Sequence, residues 1–375
     1  MAMTYDIPWF ELETGIAEIN ALSRVMSSGY LNDGLVTREF ENILAGYLDT
    51  EFAICVSSGT TALAVTMMAL GIGSGDEVIV PDLTFIATAN AVRLCGADVR
   101  LVDVTNDNFC IDLNAVEAAI NSKTKAVIAV DLNGRSCDYL QLEGLCKSRG
   151  INLICDSAES LGSSAFGRKL GSFGDAGIFS FSPSKIVTSG QGGAIVTDNV
   201  ELATRIRELK DQGRRHQGSG GDDVHPVVGF NFKYTNLQAA VAKEQFYQLK
   251  ERIEIVSTRN KIYEELIRGI EGIEFISKNT GGGAVGLWAE VLIDKKREVV
   301  KALTARKIQS RPFWFPLHTQ RPYLCDARRF PNSRRISERG LWLPSSFSLT
   351  RAQMAIVVDT LVAVLQTKSV RNSSP

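Results

Sequence analysis

Apolar and polar positions along this chain alternate with two periods, and the switching between them outlines a fold. Short apolar runs rich in β-branched residues stand at 53–56, 77–80, 99–102, 126–130 and 151–155. Between them, at 60–70, 84–95, 114–120 and 139–148, apolar residues recur at helical spacing. Two further runs, 177–181 and 193–197, bring the strands to seven. Strands apolar throughout and joined by helices predict an α/β domain, a mostly parallel seven-stranded sheet sandwiched by helices.

The flanks read differently. Ile16, Ile19, Leu22, Val25 and Met26 mark a helix that Ser27-Ser28-Gly29 breaks; a loop covers 30–34 and a helix resumes over 37–47. Residues 212–223 are polar and glycine-rich and read as a mobile loop. A long helix follows, about 236–269, then a strand at 286–293, a helix at 298–306, a strand at 308–313 and a helix at 351–365. These predict a smaller C-terminal α+β domain, with a polar, disordered tail from 367 to 375. The division is therefore 1–235 for the N-terminal region and large domain, 236–270 for a connecting helix and 271–375 for the small domain. No internal repeat is visible.

Charge narrows the functional classes. Lys plus Arg is 41 against 42 for Asp plus Glu, a net −1, so nothing marks a nucleic-acid or membrane-surface binder. An anionic ligand must be met by local arginines and backbone amides. The 375 residues are 45% hydrophobic and 22% charged, ordinary for a soluble protein, and no apolar stretch is long enough to span a bilayer. The N-terminus lacks the basic and apolar blocks of a signal peptide, and the seven cysteines form no C-x-x-C pair. Both point to a reducing cytoplasm. His216, His225 and His318 have no metal-ligand spacing, so no metal is expected.

The candidate chemistry centres on two residues at the ends of apolar strands. Asp156 closes Ile151-Asn152-Leu153-Ile154-Cys155-Asp156, and Lys185 sits in a small-residue turn after Gly177-Ile178-Phe179-Ser180-Phe181. Such an amine and carboxylate can grip pyridoxal phosphate: the amine bonds its aldehyde carbon and the carboxylate keeps the ring nitrogen protonated, so that the ring accepts electrons. Glu159 lies three residues past Asp156, within reach of a ring hydroxyl. Ser182-Pro183-Ser184-Lys185 also matches the S-x-x-K signature of serine acyl-enzymes, but the K-T-G that accompanies it is absent. A solvent-facing lysine is the plainest alternative.

The other motifs are weaker singly. Ser57-Ser58-Gly59-Thr60-Thr61 between a strand and a helix can cradle a phosphate, or simply cap the helix. Phe85 stands where a ring can cover a flat cofactor, or fill a core. Gly71-Ile72-Gly73-Ser74-Gly75 follows a helix and precedes a strand, the wrong order for a dinucleotide site. Gly190-Gln191-Gly192-Gly193 lets backbone approach the lysine turn. Asn231 lies between aromatics, as a ligand contact or a helix lead-in. Arg311-Pro312-Phe313-Trp314-Phe315-Pro316-Leu317-His318 is rigid, aromatic and basic, suited to a sugar or base or to a domain junction.

In order and spacing these segments resemble the DegT/DnrJ/EryC1/StrS family of sugar-nucleotide aminotransferases. The matching runs are Ser58 to Leu63, Gly75 to Pro81, Asp156 to Ser160, Phe179 to Phe181 with Lys185 and Gly192-Gly193, and Gly229 to Ala240. Within the family, the stretches 228–240 and 311–318 look most like its perosamine-synthase-like branch. The resemblance implies the fold-type I architecture of aspartate aminotransferase and pyridoxal 5'-phosphate as cofactor. It makes Lys185 the lysine that bonds the cofactor and Asp156 the partner of its ring nitrogen, with Glu159 near the ring hydroxyl and Phe85 on the ring. Gly59, Thr60 and Ser180 would bind the phosphate, and Asn231 would reach the phosphate in a neighbouring subunit, making a homodimer with shared sites. Tyr30, Arg135, Arg311 and His318 are the candidate substrate contacts.

The implied reaction moves an amino group from L-glutamate to a keto group of a nucleotide-activated sugar, a 4-keto-6-deoxy hexose first, for lipopolysaccharide or another amino-sugar product. An 8-keto 3-deoxy-octulosonate, a sugar dehydratase and a cofactor-binding regulator are the alternatives within the fold; the retained Lys185 argues against the dehydratases, which carry histidine there. The chain also departs from the family. It has Asp131-Leu132-Asn133-Gly134-Arg135 where His-Leu-Tyr-Gly-Gln is frequent, Gln191 where glutamate is frequent, and its own turn at Ser182-Pro183-Ser184.

Overall fold

The structure is a computed structural model that describes residues 4–215, 223–276 and 283–367. Part of the glycine-rich stretch after 212, and the tail from 368 on, lie outside the described residues.

Two helices open the chain, α1 (Ile16–Ser28) and α2 (Leu35–Leu48). Gly29 ends the first with φ 71°, a left-handed turn that glycine adopts without strain. The alternating region follows: β1 (Phe52–Val56), α3 (Gly59–Ala69), β2 (Glu77–Pro81), α4 (Ala87–Leu94), β3 (Asp98–Val102), α5 (Leu113–Ala119), β4 (Thr124–Val130), α6 (Tyr139–Arg149) and β5 (Asn152–Asp156). A short hairpin, β6 (Ser164–Ala165) and β7 (Arg168–Lys169), precedes β8 (Ala176–Ser180), β9 (Gly193–Thr197) and α7 (Val200–Lys210).

The seven strands order as β1-β9-β8-β5-β4-β2-β3, and only β9 runs against the others. Burial on both faces explains why these strands read as unbroken apolar runs. Ile54, Val80, Ile128 and Ile178 pack under α3, α4 and α7. Val127, Ala129 and Leu153 pack under α5 and α6, and Ala53, Cys55 and Val196 under α2 and a later helix, α8 (Asn236–Tyr247). Parallel strands bring their carboxyl ends to one edge, and that edge holds Ser57, Asp82, Asp131, Asp156 and Phe181.

The long helix expected over 236–269 is two helices, α8 and α9 (Leu249–Ile267), meeting at Gln248 with ψ −3°. Neither glycine nor proline marks the break. Beyond it lie β10 (Ile273–Phe275), β11 (Glu290–Ile293), α10 (Lys296–Ala305), β12 (Arg311–Pro312), α11 (Pro331–Arg339), β13 (Gly340–Trp342) and α12 (Arg351–Gln366). The small antiparallel sheet runs β10-β11-β13-β12 and packs on α9, α10 and α12.

Two expected strands are shorter than their apolar runs. Gly286 and Leu287 give their carbonyls to Asn260 Nδ2 and Arg259 Nη2, both at 2.7 Å, instead of to a strand. Ile308 bridges Ile7 rather than extending β12. Ile7 thereby joins the core formed by the small sheet and its helices, while Trp9 joins the cluster of the large sheet.

Candidate active site

β1, β5 and β8 each deliver a side chain or a turn to one cavity of about 300 Å³ at the carboxyl edge of the sheet. After β1, Ser58 caps α3: its Oγ accepts from Thr61 N–H at 3.1 Å, and Thr61 Oγ1 accepts from Ser58 N–H at 3.0 Å. The first amides of α3, those of Gly59 and Thr60, have no acceptor within the helix and open on the cavity. Room there is tight. A Cβ on Gly59 would sit 3.1 Å from Ser180 Cβ, and one on Gly193 would come 2.6 Å from Gly59 N, so both glycines let β9 and β8 pass close under the turn.

Asp156 ends β5 and is 5% exposed. Thr88 Oγ1 donates to its Oδ2 at 2.8 Å and Ala158 N–H to its Oδ1 at 3.3 Å. Burial still pushes the carboxyl up to about 6, and the charge of Glu159 adds to the shift. A carboxylate placed so is short of a cation. Behind it, Asp131 gives its N–H to the Asp156 carbonyl at 3.0 Å. Asp131 accepts from Tyr139 Oη at 2.7 Å and Ser157 Oγ at 2.6 Å, yet burial raises it to about 7.

Lys185 leaves the turn after β8 with Nζ 3.4 Å from Glu159 Oε1 and 5.1 Å from the centre of the Trp288 ring. The amine thus faces a carboxylate; Lys185 meets Ser182 through its backbone N–H on the Ser182 carbonyl at 3.1 Å, and among the described residues no hydrogen bond joins Nζ to Ser182 Oγ, which leaves the S-x-x-K alternative without its geometry. Glu159 is held in turn by Asn133 N–H on Oε2 at 3.0 Å. Phe85, 47% exposed, forms one wall with Trp314, ring centres 4.9 Å apart. Arg311 completes that wall. Its guanidinium lies 4.6 Å from the Trp314 ring and 4.9 Å from Trp9, and has no carboxylate partner among the described residues. Burial lowers its pKa, with Glu159 acting the other way.

Eight of the twelve candidates therefore share the cavity: Gly59, Thr60, Phe85, Asp156, Glu159, Ser180, Lys185 and Arg311. Four do not. Asn231 is exposed and its backbone bridges Asp211. Tyr30 lines a separate cavity of about 540 Å³ with Asp33, Arg38 and Lys233. Arg135 is corrected from a substrate contact to a buried ion pair with Glu290, stacked on Phe109. His318 is likewise committed, with Nδ1 2.7 Å from Asp82 Oδ2 and its ring flat on Phe330.

Thr88 and Trp288 were not among the candidates, Trp314 entered only within the aromatic run 311–318, and Asn133 only within the departing run 131–135. Thr84 and Thr88 offered a signal, two hydroxyls four residues apart at the start of an expected helix; the helix begins later, at Ala87, yet the hydroxyls still meet at 3.1 Å. Trp288 gave none, because it lies in a run that reads as strand.

The sequence profile of the DegT/DnrJ/EryC1/StrS aminotransferase family matches residues 13–362. The chain belongs to this family. It is similar to GDP-perosamine synthase of Vibrio cholerae, 34% identical over 90% of this chain and 94% of the relative. The enzyme of that name from Caulobacter vibrioides is 36% identical over 87% and 89%. Among solved structures, DesV of S. venezuelae superposes with a TM-score of 0.91 at 30% identity, covering 97% of this chain and 99% of that one.

The protein is thus a pyridoxal-phosphate-dependent aminotransferase of the α/β fold its family shares. The cavity suits that cofactor on its own terms: an under-compensated carboxylate, an amine beside it, an aromatic wall, and open helix amides beside a serine hydroxyl.

Proposed function

We propose that this aminotransferase moves an amino group from L-glutamate to the keto group of a sugar carried on a nucleotide, for a cell-surface glycan. The single observation that carries the reading is that Lys185, Glu159 and Asp156 meet in one cavity that also contains helix amides for a phosphate and a cationic Arg311. The relatives named GDP-perosamine synthase support a nucleotide-linked sugar as acceptor, and among such sugars we put a 4-keto-6-deoxy hexose first.

Bound pyridoxal phosphate supplies an aldehyde that exchanges amines and a ring that holds electrons. The chain's own residues do the rest. The Gly59 and Thr60 amides and the Ser180 hydroxyl bind phosphate. Asp156 would hold the ring nitrogen charged, and Phe85 would wall the ring's side of the cavity. Lys185 would hold the cofactor through its amine and, when that amine is free, would move a proton at the donor's α carbon. Glu159, 3.4 Å away, orients the amine. Arg311 meets an anionic group of donor or acceptor.

Asn231 is exposed and outside its own cavity, which suits a contact with the cofactor phosphate of a second copy in a homodimer. Among the described residues no helix is long and apolar enough to cross a membrane, and all seven cysteines are free thiols, which supports a reducing cytoplasm.

The test is a panel of keto sugars on GDP, UDP, dTDP and CMP, with glutamate as donor and an 8-keto-octulosonate included. Amination of a nucleotide sugar is expected, and activity on amino-acid oxoacids alone would overturn the substrate class. Lys185→Ala should abolish covalent cofactor binding and turnover; retention of both would overturn the role of the amine.

A further inference from the structure

We propose that Asn133 is a positioning residue that fixes both neighbours of the Lys185 amine, Glu159 on one side and Trp288 on the other. The inference rests on Lys185 being the amine that binds the cofactor.

Asn133 sits in the turn after β4 with φ 50° and ψ 43°, a left-handed conformation that asparagine tolerates better than most residues. The turn aims its backbone N–H at Glu159 Oε2, 3.0 Å away, while the other carboxylate oxygen faces Lys185. Its side chain then grips the small-domain strand lead-in at both polar atoms. Oδ1 accepts from Trp288 N–H at 2.9 Å, and Nδ2 donates to the Trp288 carbonyl at 3.0 Å. Only an amide both donates and accepts there; aspartate would set a carboxylate against a carbonyl. All of these atoms are buried, where a lost partner is costly.

The neighbouring contacts show a seam built around this residue. A Cβ on Gly134 would overlap the Val285 carbonyl, Ser163 Oγ accepts from Val285 N–H at 2.9 Å, and Arg135 pairs with Glu290. Within the seam Asn133 also bonds to the acid beside the Lys185 amine. The run 131–135 is where this chain departs from the residues frequent in the family it resembles.

The proposal separates into arms. Asn133→Gly keeps the left-handed turn, and with it the N–H on Glu159, but deletes the Trp288 grip. Asn133→Ala also strains the turn. Ser163→Ala loosens the same seam without touching Glu159 or Trp288.

Each apoprotein is mixed with pyridoxal phosphate, and the rate of capture at Lys185 is read per folded molecule. In capture the amine nitrogen bonds the aldehyde carbon and the aldehyde oxygen leaves as water; added borohydride then reduces the new bond so that the modified peptide can be mapped. Thermal midpoints fix the folded fraction. Asn133→Gly should slow capture about tenfold and Asn133→Ala more, with Ser163→Ala near wild type. In the half-reaction with glutamate, the saturating rate should fall while the half-saturating glutamate concentration holds.

Capture by Asn133→Gly within twofold of wild type would overturn the proposal. So would equal slowing by Ser163→Ala, since general docking of the domains would then suffice. Capture at a lysine other than Lys185 in the wild-type protein would overturn the reading of the amine instead, which keeps the two failures distinct.

Discussion

Arg135 and Arg311 bring the same guanidinium to the same half of the molecule, and the fold treats them in opposite ways. Arg135 is 2% exposed, paired with Glu290, stacked on Phe109 and bonded through Nη1 to the Leu132 carbonyl at 3.1 Å. Every need of that charge is met inside the protein, so it joins domains. Arg311 is half-buried among Trp9, Trp314 and Trp342, faces the Lys185 cavity and has no carboxylate partner among the described residues. Aromatic faces steady a cation without neutralising it. A charge kept rigid and uncompensated beside a cavity is one a ligand can complete.

The sharpest way to break this contrast is to remove each guanidinium. Arg135→Leu takes the cation from a carboxylate that stays wholly buried, a change that costs about 3–5 kcal/mol. Chemical unfolding should show that loss, and the soluble fraction should drop. A variant that unfolds like wild type but needs far more substrate would return Arg135 to the ligand.

Arg311→Met should do the reverse. Stability should move by less than about 1 kcal/mol, while the catalytic efficiency of one half-reaction falls about 10- to 100-fold, the worth of one charge-assisted contact. Which half-reaction falls tells whether the anion belongs to glutamate or to the nucleotide sugar. Arg311→Lys should recover little, because a lysine loses the planar fork that both stacks and pairs bidentately. Unchanged kinetics would make the aromatic cage purely structural.

The two arginines also mark where the sequence could be read and where it could not. The sheet was legible because most of its strands are buried on both faces and therefore apolar, and Asp156 and Lys185 stood out as a carboxylate closing one such strand and an amine in the small-residue turn after another. Gly59 and Thr60 followed from a strand-to-helix turn, and Ser180 from the family resemblance alone. Arg135 was not legible, because nothing local to residue 135 shows that a strand 155 residues later carries its counter-ion. Separations of 155 and 68 residues likewise hid the clamp from Asn133 to Trp288 and the hydroxyl from Thr88 to Asp156. The break at Gln248 escaped because hydrophobic spacing continues through it. Local pattern fixes elements and their ends; pairings across the chain need the fold.

A smaller effect extends the comparison to acids, with Glu290 as the carboxylate whose cation is in place and Asp156 as the one still short of it. Burial holds Asp156 at about 6 against an ordinary 3.8, so between those values the folded apoprotein keeps a proton that the unfolded chain releases. The apoprotein is therefore most stable, as far as this group goes, below about pH 4, and gives up at most about 3 kcal/mol as pH rises to 6, with no further change above. A bound ring cation reverses the demand, because it needs Asp156 charged. Pyridoxal phosphate should accordingly raise the thermal midpoint more at pH 7.5 than at pH 5. Asp131 and the phosphate of the cofactor also titrate in this range, so the measurement is a difference: in Asp156→Asn the excess at high pH should shrink, since the phosphate is unchanged there and Asp131 loses only the smallest of the causes that act on it, the charge of Asp156. Thr88→Val removes a donor that favours the charged form and should move the transition to higher pH, the smallest shift of the series. If Asp156→Asn kept the wild-type pH dependence, the carboxylate would not be the one completed by the cofactor.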